Sequence, residues 1–235
     1  MDVRRDLPLL VPKELVPIIH ATPRYVVVNK PAGLLSVPGI GPEKQDCVVS
    51  RVLAMFPSAT GPMMVHRLDM ETSGVMVVAL DADAQRELSM QFESRVVMKT
   101  YVALLEGSPA RDEGEIALPM RLDVERRPYQ IVDFEQGKPA VTRYRVLSRE
   151  VDRARVEFEP ITGRTHQIRV HAASEISRGL PGGGLGSPIV GDGLYGINAC
   201  GPGGPTSGLL LHARTLSFLE PGTTRRVEFE VGPGF

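Results

Sequence analysis

The stretch VHRLDMETSGVMVVAL, residues 65–80, sets His66, Arg67 and Asp69 directly ahead of an apolar run from Val75 to Leu80. Such a run predicts a buried strand, so the polar groups stand at its mouth. Asp69 can form a local ion pair with Arg67 that caps a turn, or its carboxylate can be held there to act on a substrate. Asp69 and Glu71 share a face if the chain is extended, and paired carboxylates can do acid–base work at a glycosidic bond. One such pair in a chain with 28 acidic residues discriminates weakly. The other candidates say less. His166 and His171 are five apart, which separates them around a helix, so no metal site is expected. Cys47 and Cys200 match no metal or redox spacing. GGGLGS, at 182–187, lacks the lysine and following helix of a phosphate loop.

Several elements must position these groups. RYVVVNK (24–30) reads as a buried strand followed by the loop PAGLLSVPGIGPEKQ. Asp46 is a possible cap for a helix running to Phe56, where Pro57 stops it. The apolar run at 75–80 is a second strand. Asp81 is the expected N-cap of a helix over 81–95, which leads to a strand over 99–107. The second half is strand-rich: GEIALPM, PAVTRYRVLS, ARVEFEP, GLLLHARTLSFLEP and RRVEFEVG alternate or carry β-branched residues between turns. ITGRTHQIRVHAASEI predicts a helix from Gly163 to Ile176 with Thr162 as its cap. The segments around 179–188 and 200–208 have the glycine and proline content of mobile loop. Many strands with few helices favour one α+β domain built on a largely antiparallel sheet, with 1–23 as an N-terminal extension and 24–235 as the domain.

The bulk numbers constrain the class. At 235 residues, with 42% hydrophobic and 23% charged residues, the chain has the composition of a soluble globular protein. No apolar stretch approaches membrane-spanning length, and prolines and charges interrupt any signal-like core near the N-terminus. A cytoplasmic protein is expected. The net charge of −1 gives no hint of a nucleic-acid partner, but its distribution does. Between Arg121 and His171 eleven Arg or Lys stand against eight Asp or Glu, and ten of the eleven are arginine, whose planar fork suits phosphate. A mixed solvated face is the alternative.

HRLDMETSG (66–74), KTY (99–101) and GRTHQIRVH (163–171) together resemble the RluA family of pseudouridine synthases. NKPAGLLSVPG, GKPAVTRYRVL, PIVGDGLYG and LLLHARTLSF fit in order, so the resemblance covers about residues 24–231. Many relatives carry an additional N-terminal RNA-binding domain; none is expected here, so the chain resembles the compact subgroup most. One departure is RGLPGGGLGSPIVGD, where extra glycines are inserted and Ser187 replaces the usual histidine before proline.

The resemblance implies a single catalytic domain that isomerises uridine in a stem-loop of structured rRNA or tRNA without a cofactor; no metal, no membrane and no more than a monomer are expected from the sequence. It assigns Asp69 as the essential carboxylate, acting on the sugar C1′, on the base, or on a sugar proton. It assigns Arg169 as the cation that keeps an enclosed carboxylate charged, the alternative being a phosphate contact. Tyr101 would stack on uracil or take the C5 proton. The target base must flip out of its stack, with Arg67 filling the vacated space unless it pairs with Asp69 or a phosphate. Leu211 would pack beneath the base or belong to the core. Lys30 with the 31–39 loop, Arg143, Arg145 and Arg164 are the expected RNA-backbone contacts. A non-catalytic RNA-binding or ribosome-assembly factor, and a nucleoside or glycoside hydrolase using Asp69 with Glu71, are the rival classes. Glu71 is expected to be dispensable.

Overall fold

A computed structural model describes residues 15–177, 179, 181–201 and 208–235. Most of the expected N-terminal extension, and residues 202–207 of the second glycine-rich stretch, lie outside the described residues. In chain order the elements begin with β1 (Ile18–Ala21), β2 (Tyr25–Lys30), α1 (Val48–Met55), β3 (Ser73–Ala79) and α2 (Ala82–Glu93). Next come β4 (Met98–Glu106), β5 (Glu113–Ala117), β6 (Met120–Leu122), β7 (Gln130–Val132), β8 (Val141–Arg149) and β9 (Arg153–Pro160). The chain closes with α3 (Gln167–Ala173), β10 (Leu211–Leu219) and β11 (Arg226–Glu230). The β1–β2, β2–β3, β10–β11, β4–β9, β5–β8, β6–β7 and β8–β9 ladders are antiparallel, which gives the α+β, largely antiparallel mixed architecture that the patterning predicts. The chain divides into two compact units: residues up to Lys99 with Ala213–Gly234, and Thr100–His212 with Phe235.

In the first unit β2 lies between β1 and β3, β10 borders β3, and β11 pairs with β10. Tyr25 faces Ala79 and Lys30 faces Gly74 across the β2–β3 ladder. Both faces of β3 are buried, which is why its sequence is a continuous apolar run rather than an alternation. Val75, Val77 and Ala79 pack with Ala84 and Leu88 of α2 and with Leu216 and Phe218 of β10. The glycine of the TSG triplet has a packing reason. A Cβ on Gly74, at φ 116°, would overlap the Ala213 backbone.

The helix caps agree with the sequence in one case and differ in the other. Asp81 caps α2 by accepting from the Ala84 N–H at 2.7 Å. At α1 the cap is Cys47, not Asp46: its Sγ accepts from the Ser50 N–H at 3.3 Å, and the Ser50 hydroxyl accepts from the Cys47 N–H. Asp46 instead binds Arg51 through two 2.7 Å hydrogen bonds.

In the second unit the order is β4-β9-β8-β5, with β6 and β7 as a separate hairpin. Its core joins Ala103 and Leu105 of β4, Val156 and Phe158 of β9, Ile168 and Ala172 of α3, and Leu211. Helix α3 is shorter than the Gly163–Ile176 expected, because His166 takes a left-handed conformation (φ 55°) and starts the helix late. Thr162 does not cap it. Its hydroxyl accepts from the Val141 N–H at 2.9 Å and donates to Gln167 Oε1 at 2.7 Å.

The glycine-rich insertion is also corrected from mobile loop to packed structure over residues 181–188. Gly182 exchanges hydrogen bonds with β5, donating to Glu115 at 3.1 Å and accepting from Ala117 at 2.9 Å. The N–H groups of Gly184, Leu185, Gly186 and Ser187 donate to Ile176, His171, Ser174 and Ala172. Gly183 and Gly184 are required for this close approach, since a Cβ on either would overlap the Ser177 or Ser174 backbone. Glycine content here permits tight packing instead of disorder.

Candidate active site

In the first unit Asp69 sits half-buried in a turn closed by the Thr72 N–H, which donates to its carbonyl at 3.1 Å. The loop after β2 holds that turn from two sides. The Ser36 hydroxyl donates to the Leu68 carbonyl at 2.7 Å and accepts from the Leu68 N–H at 3.0 Å. The Lys30 ammonium donates to the carbonyls of Pro31 (3.0 Å), Leu34 (2.6 Å) and Met70 (2.8 Å). NKPAGLLS and HRLDM are therefore one hydrogen-bonded cradle for the acid.

Lys30 is fully buried. Burial lowers its pKa to about 8, against the opposing pull of Glu71 and Asp69. With three carbonyls taking its donors it is not the surface phosphate contact expected; it ties the Asp69 turn to the end of β2. Arg67 is exposed and forms no ion pair among the described residues, so the turn is not capped by an Arg67–Asp69 bridge. His66 accepts from the Val77 N–H at 3.1 Å and stacks on Phe92 with ring centroids 4.5 Å apart. Burial, with Lys99 repelling a second positive charge, lowers its pKa to about 3. A neutral, acceptor-locked imidazole serves as a structural prop rather than a proton shuttle. Glu71 Oε1 is buried with no hydrogen-bond partner among the described residues.

In the second unit Arg169 is 5% exposed. Its Nε donates to Asp192 Oδ2 at 2.8 Å and its Nη2 to Oδ1 at 2.6 Å, and its guanidinium lies 5.3 Å from the Tyr195 ring centre. Burial pushes the Asp192 carboxyl up, but the Arg169 hydrogen bonds and charge and the Tyr195 and Leu194 N–H donors outweigh it, leaving it below the usual carboxylate range. The strap that delivers Asp192 is fixed to β4: Glu106 N–H donates to Pro188 at 2.8 Å and Val190 N–H to Leu104 at 2.9 Å. The Tyr195 hydroxyl accepts from the Gln130 N–H at 2.8 Å and shares a 2.8 Å hydrogen bond with His166 Nδ1.

Sequence reasoning missed Asp192 and Tyr195, although both lie in GDGLYG. The usable signal was an acid set to hydrogen-bond the backbone just after it: Asp192 Oδ1 accepts from the N–H groups of Leu194 and Tyr195.

Tyr101 lies near the start of β4, opposite Phe158, half-buried against the apolar cluster that contains Leu211 and Ile168. Leu211 itself is 3% exposed, the core position that was one of its two expected places. Arg143 and Arg145 do not form the basic surface expected of them. Arg143 lies 3.5 Å from Glu115 and 3.9 Å from Glu159, and Arg145 lies 2.9 Å from Glu157, on a face that Glu113 also shares. Acids outnumber arginines there, which disfavours phosphate. Arg164 donates through Nε to the Pro139 carbonyl at 3.1 Å. Among the described residues no His, Cys, Asp and Glu group could hold a metal, and no helix is long and apolar enough to cross a membrane.

The sequence profile of the RNA pseudouridylate synthase family matches residues 24–174. A Yersinia pestis protein described as "Dual-specificity RNA pseudouridine synthase RluA" is 46% identical over 205 residues, 87% of this chain and 92% of that protein. The protein of that description from Escherichia coli K12 is 43% identical over 219 residues, 93% of each. The solved structure of "Human RNA Pseudouridylate Synthase Domain Containing 1" is similar with a TM-score of 0.73 at 29% identity, covering 94% of this chain and 85% of that one. The fold, the cradled aspartate and these matches make the protein an enzyme that isomerises uridine in RNA. Within that class the chain belongs to the RluA family of pseudouridine synthases.

Proposed function

We propose that the enzyme modifies specific uridines in structured rRNA, tRNA or both, with Asp69 as the essential group and residues 24–235 acting as one catalytic domain. The observation that carries this is the 46% identity over 205 residues to a relative described as dual-specific. In the reaction the bond between C1′ and N1 breaks and one between C1′ and C5 forms. C5 loses a proton and N1 gains one, so the product is an isomer and no redox cofactor is needed.

The target uridine leaves its stack at a cost of a few kcal/mol. Arg67, exposed and without an ion pair among the described residues, occupies the gap. Asp69 acts at the junction of sugar and base, on a turn whose rigidity comes from Lys30 and Ser36. Tyr101 stacks on uracil or accepts the C5 proton, a role suited by a ring packed on one side by apolar residues. Arg169, aimed by Asp192, is the basic residue of the reaction, and Arg164 contributes to backbone binding. The enzyme works as a cytoplasmic monomer, a setting that suits its two free cysteines. Pseudouridine mapping of total RNA from cells with and without the protein tests this: discrete sites in rRNA or tRNA disappear, whereas an unchanged map overturns it.

A further inference from the structure

Lys99 opens a different question, because it is a cation without an obvious use. It lies near the start of β4, two residues before Tyr101, and its Nζ sits over the face of Phe92 at 5.7 Å from the ring centre. Phe92 in turn stacks on His66 at 4.5 Å, and His66 begins the HRLD sequence that ends in Asp69. Lys99 is thus linked by two ring contacts to the turn that carries the essential acid. It forms no ion pair among the described residues, and burial lowers its pKa with no carboxylate opposing the shift. Lys30, the other lysine shielded from solvent in this unit, has three carbonyl partners and two nearby acids. Lys99 has neither.

A partly desolvated ammonium costs free energy unless an anion or hydrogen-bond acceptors compensate it. The π-face of Phe92 recovers only part, on the order of 0.5–2 kcal/mol. A compact point charge held in place by an aromatic ring fits a phosphate oxygen. The polymer that must approach Asp69 is a polyanion.

We infer that Lys99 seats a backbone phosphodiester of the RNA beside the flipped uridine, using the His66–Phe92 stack as its fixed base. This rests on the uridine-isomerase function proposed above. The contact recognises phosphate and not base identity, so it secures the nucleotide's position without adding sequence preference.

The test compares the full chain with Lys99→Met and Lys99→Arg on a stem-loop RNA containing the target uridine. Methionine keeps an apolar stem over Phe92 while removing the charge. Lys99→Met is expected to weaken RNA binding about tenfold and to reduce the slope of log K against log salt by roughly 0.7–0.9, the loss of one phosphate contact. Lys99→Arg restores the slope. A methylphosphonate scan of the RNA shows one position next to the target uridine that costs the wild type as much as the mutation does, with no further loss in Lys99→Met. An unchanged salt slope, or a binding loss that follows lowered thermal stability in both variants, overturns the inference. A wild-type protein that forms no pseudouridine in any RNA defeats the isomerase function itself, a separate outcome.

Discussion

Asp192→Asn probes the buried pair that holds Arg169. The wild-type side chains are 6% and 0% exposed and meet through two charge-assisted bonds of 2.8 and 2.6 Å. Asparagine keeps one acceptor oxygen but turns an NH2 group toward the guanidinium and removes the charge that Asp192 sets against it. Breaking a buried pair from one side costs about 3–5 kcal/mol. For a chain of this length each kcal/mol lowers Tm by about 2–4 °C, which gives a fall of roughly 6–20 °C. If Arg169 must be aimed to serve the chemistry, kcat falls by about a hundredfold as well, while RNA affinity changes little. Urea unfolding and single-turnover pseudouridine formation read the two effects separately. Wild-type stability in Asp192→Asn refutes the claim of a buried ion pair. Lost stability with unchanged kcat at a temperature where the variant is folded refutes the positioning role. The pH dependence has a defined sign: the folded carboxyl titrates below its ordinary range, so the pair's stability is present above that range and is lost as pH falls through the lower folded value.

Lys30→Met takes the ammonium donor from the buried Leu34 carbonyl, while Met70 still accepts from the Gly33 N–H, and lowers stability by about 1–3 kcal/mol, measurable by denaturant titration. Glu71→Gln retains pseudouridine formation within severalfold, because the buried Oε1 has no hydrogen bond among the described residues to lose; a loss as deep as that of an Asp69 variant would revive the paired-carboxylate hydrolase. His66 is neutral in the fold down to about pH 3, against an ordinary value of 6.5, so the stability it contributes is complete above pH 6.5 and is lost as the pH falls toward 3. His66→Gln flattens that part of the stability–pH curve. Gly74→Ala puts a Cβ into the Ala213 backbone, and markedly reduced soluble yield or Tm is the expected result.

What the sequence made legible was local. The Val75–Leu80 run and the Asp81 cap depend on neighbours within a few residues, and both elements formed as expected. The motif spacing carried the family. What it did not reveal depended on partners distant along the chain. Nothing near Lys30 shows that its ammonium reaches Met70, forty residues on. Arg143 and Arg145 look basic in their own segment and lose that character only when β5 and β9 bring glutamates alongside. Gly183 and Gly184 read as slack until the Ser177 and Ser174 backbone, just after α3, comes close enough to exclude a Cβ. Asp192 gains its significance from Arg169, twenty-three residues earlier. Cys47 displaced Asp46 as a cap because Arg51 competes for the acid.

The most direct measurement is Asp69→Asn assayed on a uridine-containing target RNA, with binding and pseudouridine formation followed on the same sample. The charge is removed while the Lys30 and Ser36 contacts to the backbone of the turn remain available. RNA binding should persist and pseudouridine should not form. Isomerisation at the wild-type rate by this variant would contradict the assignment of the essential acid.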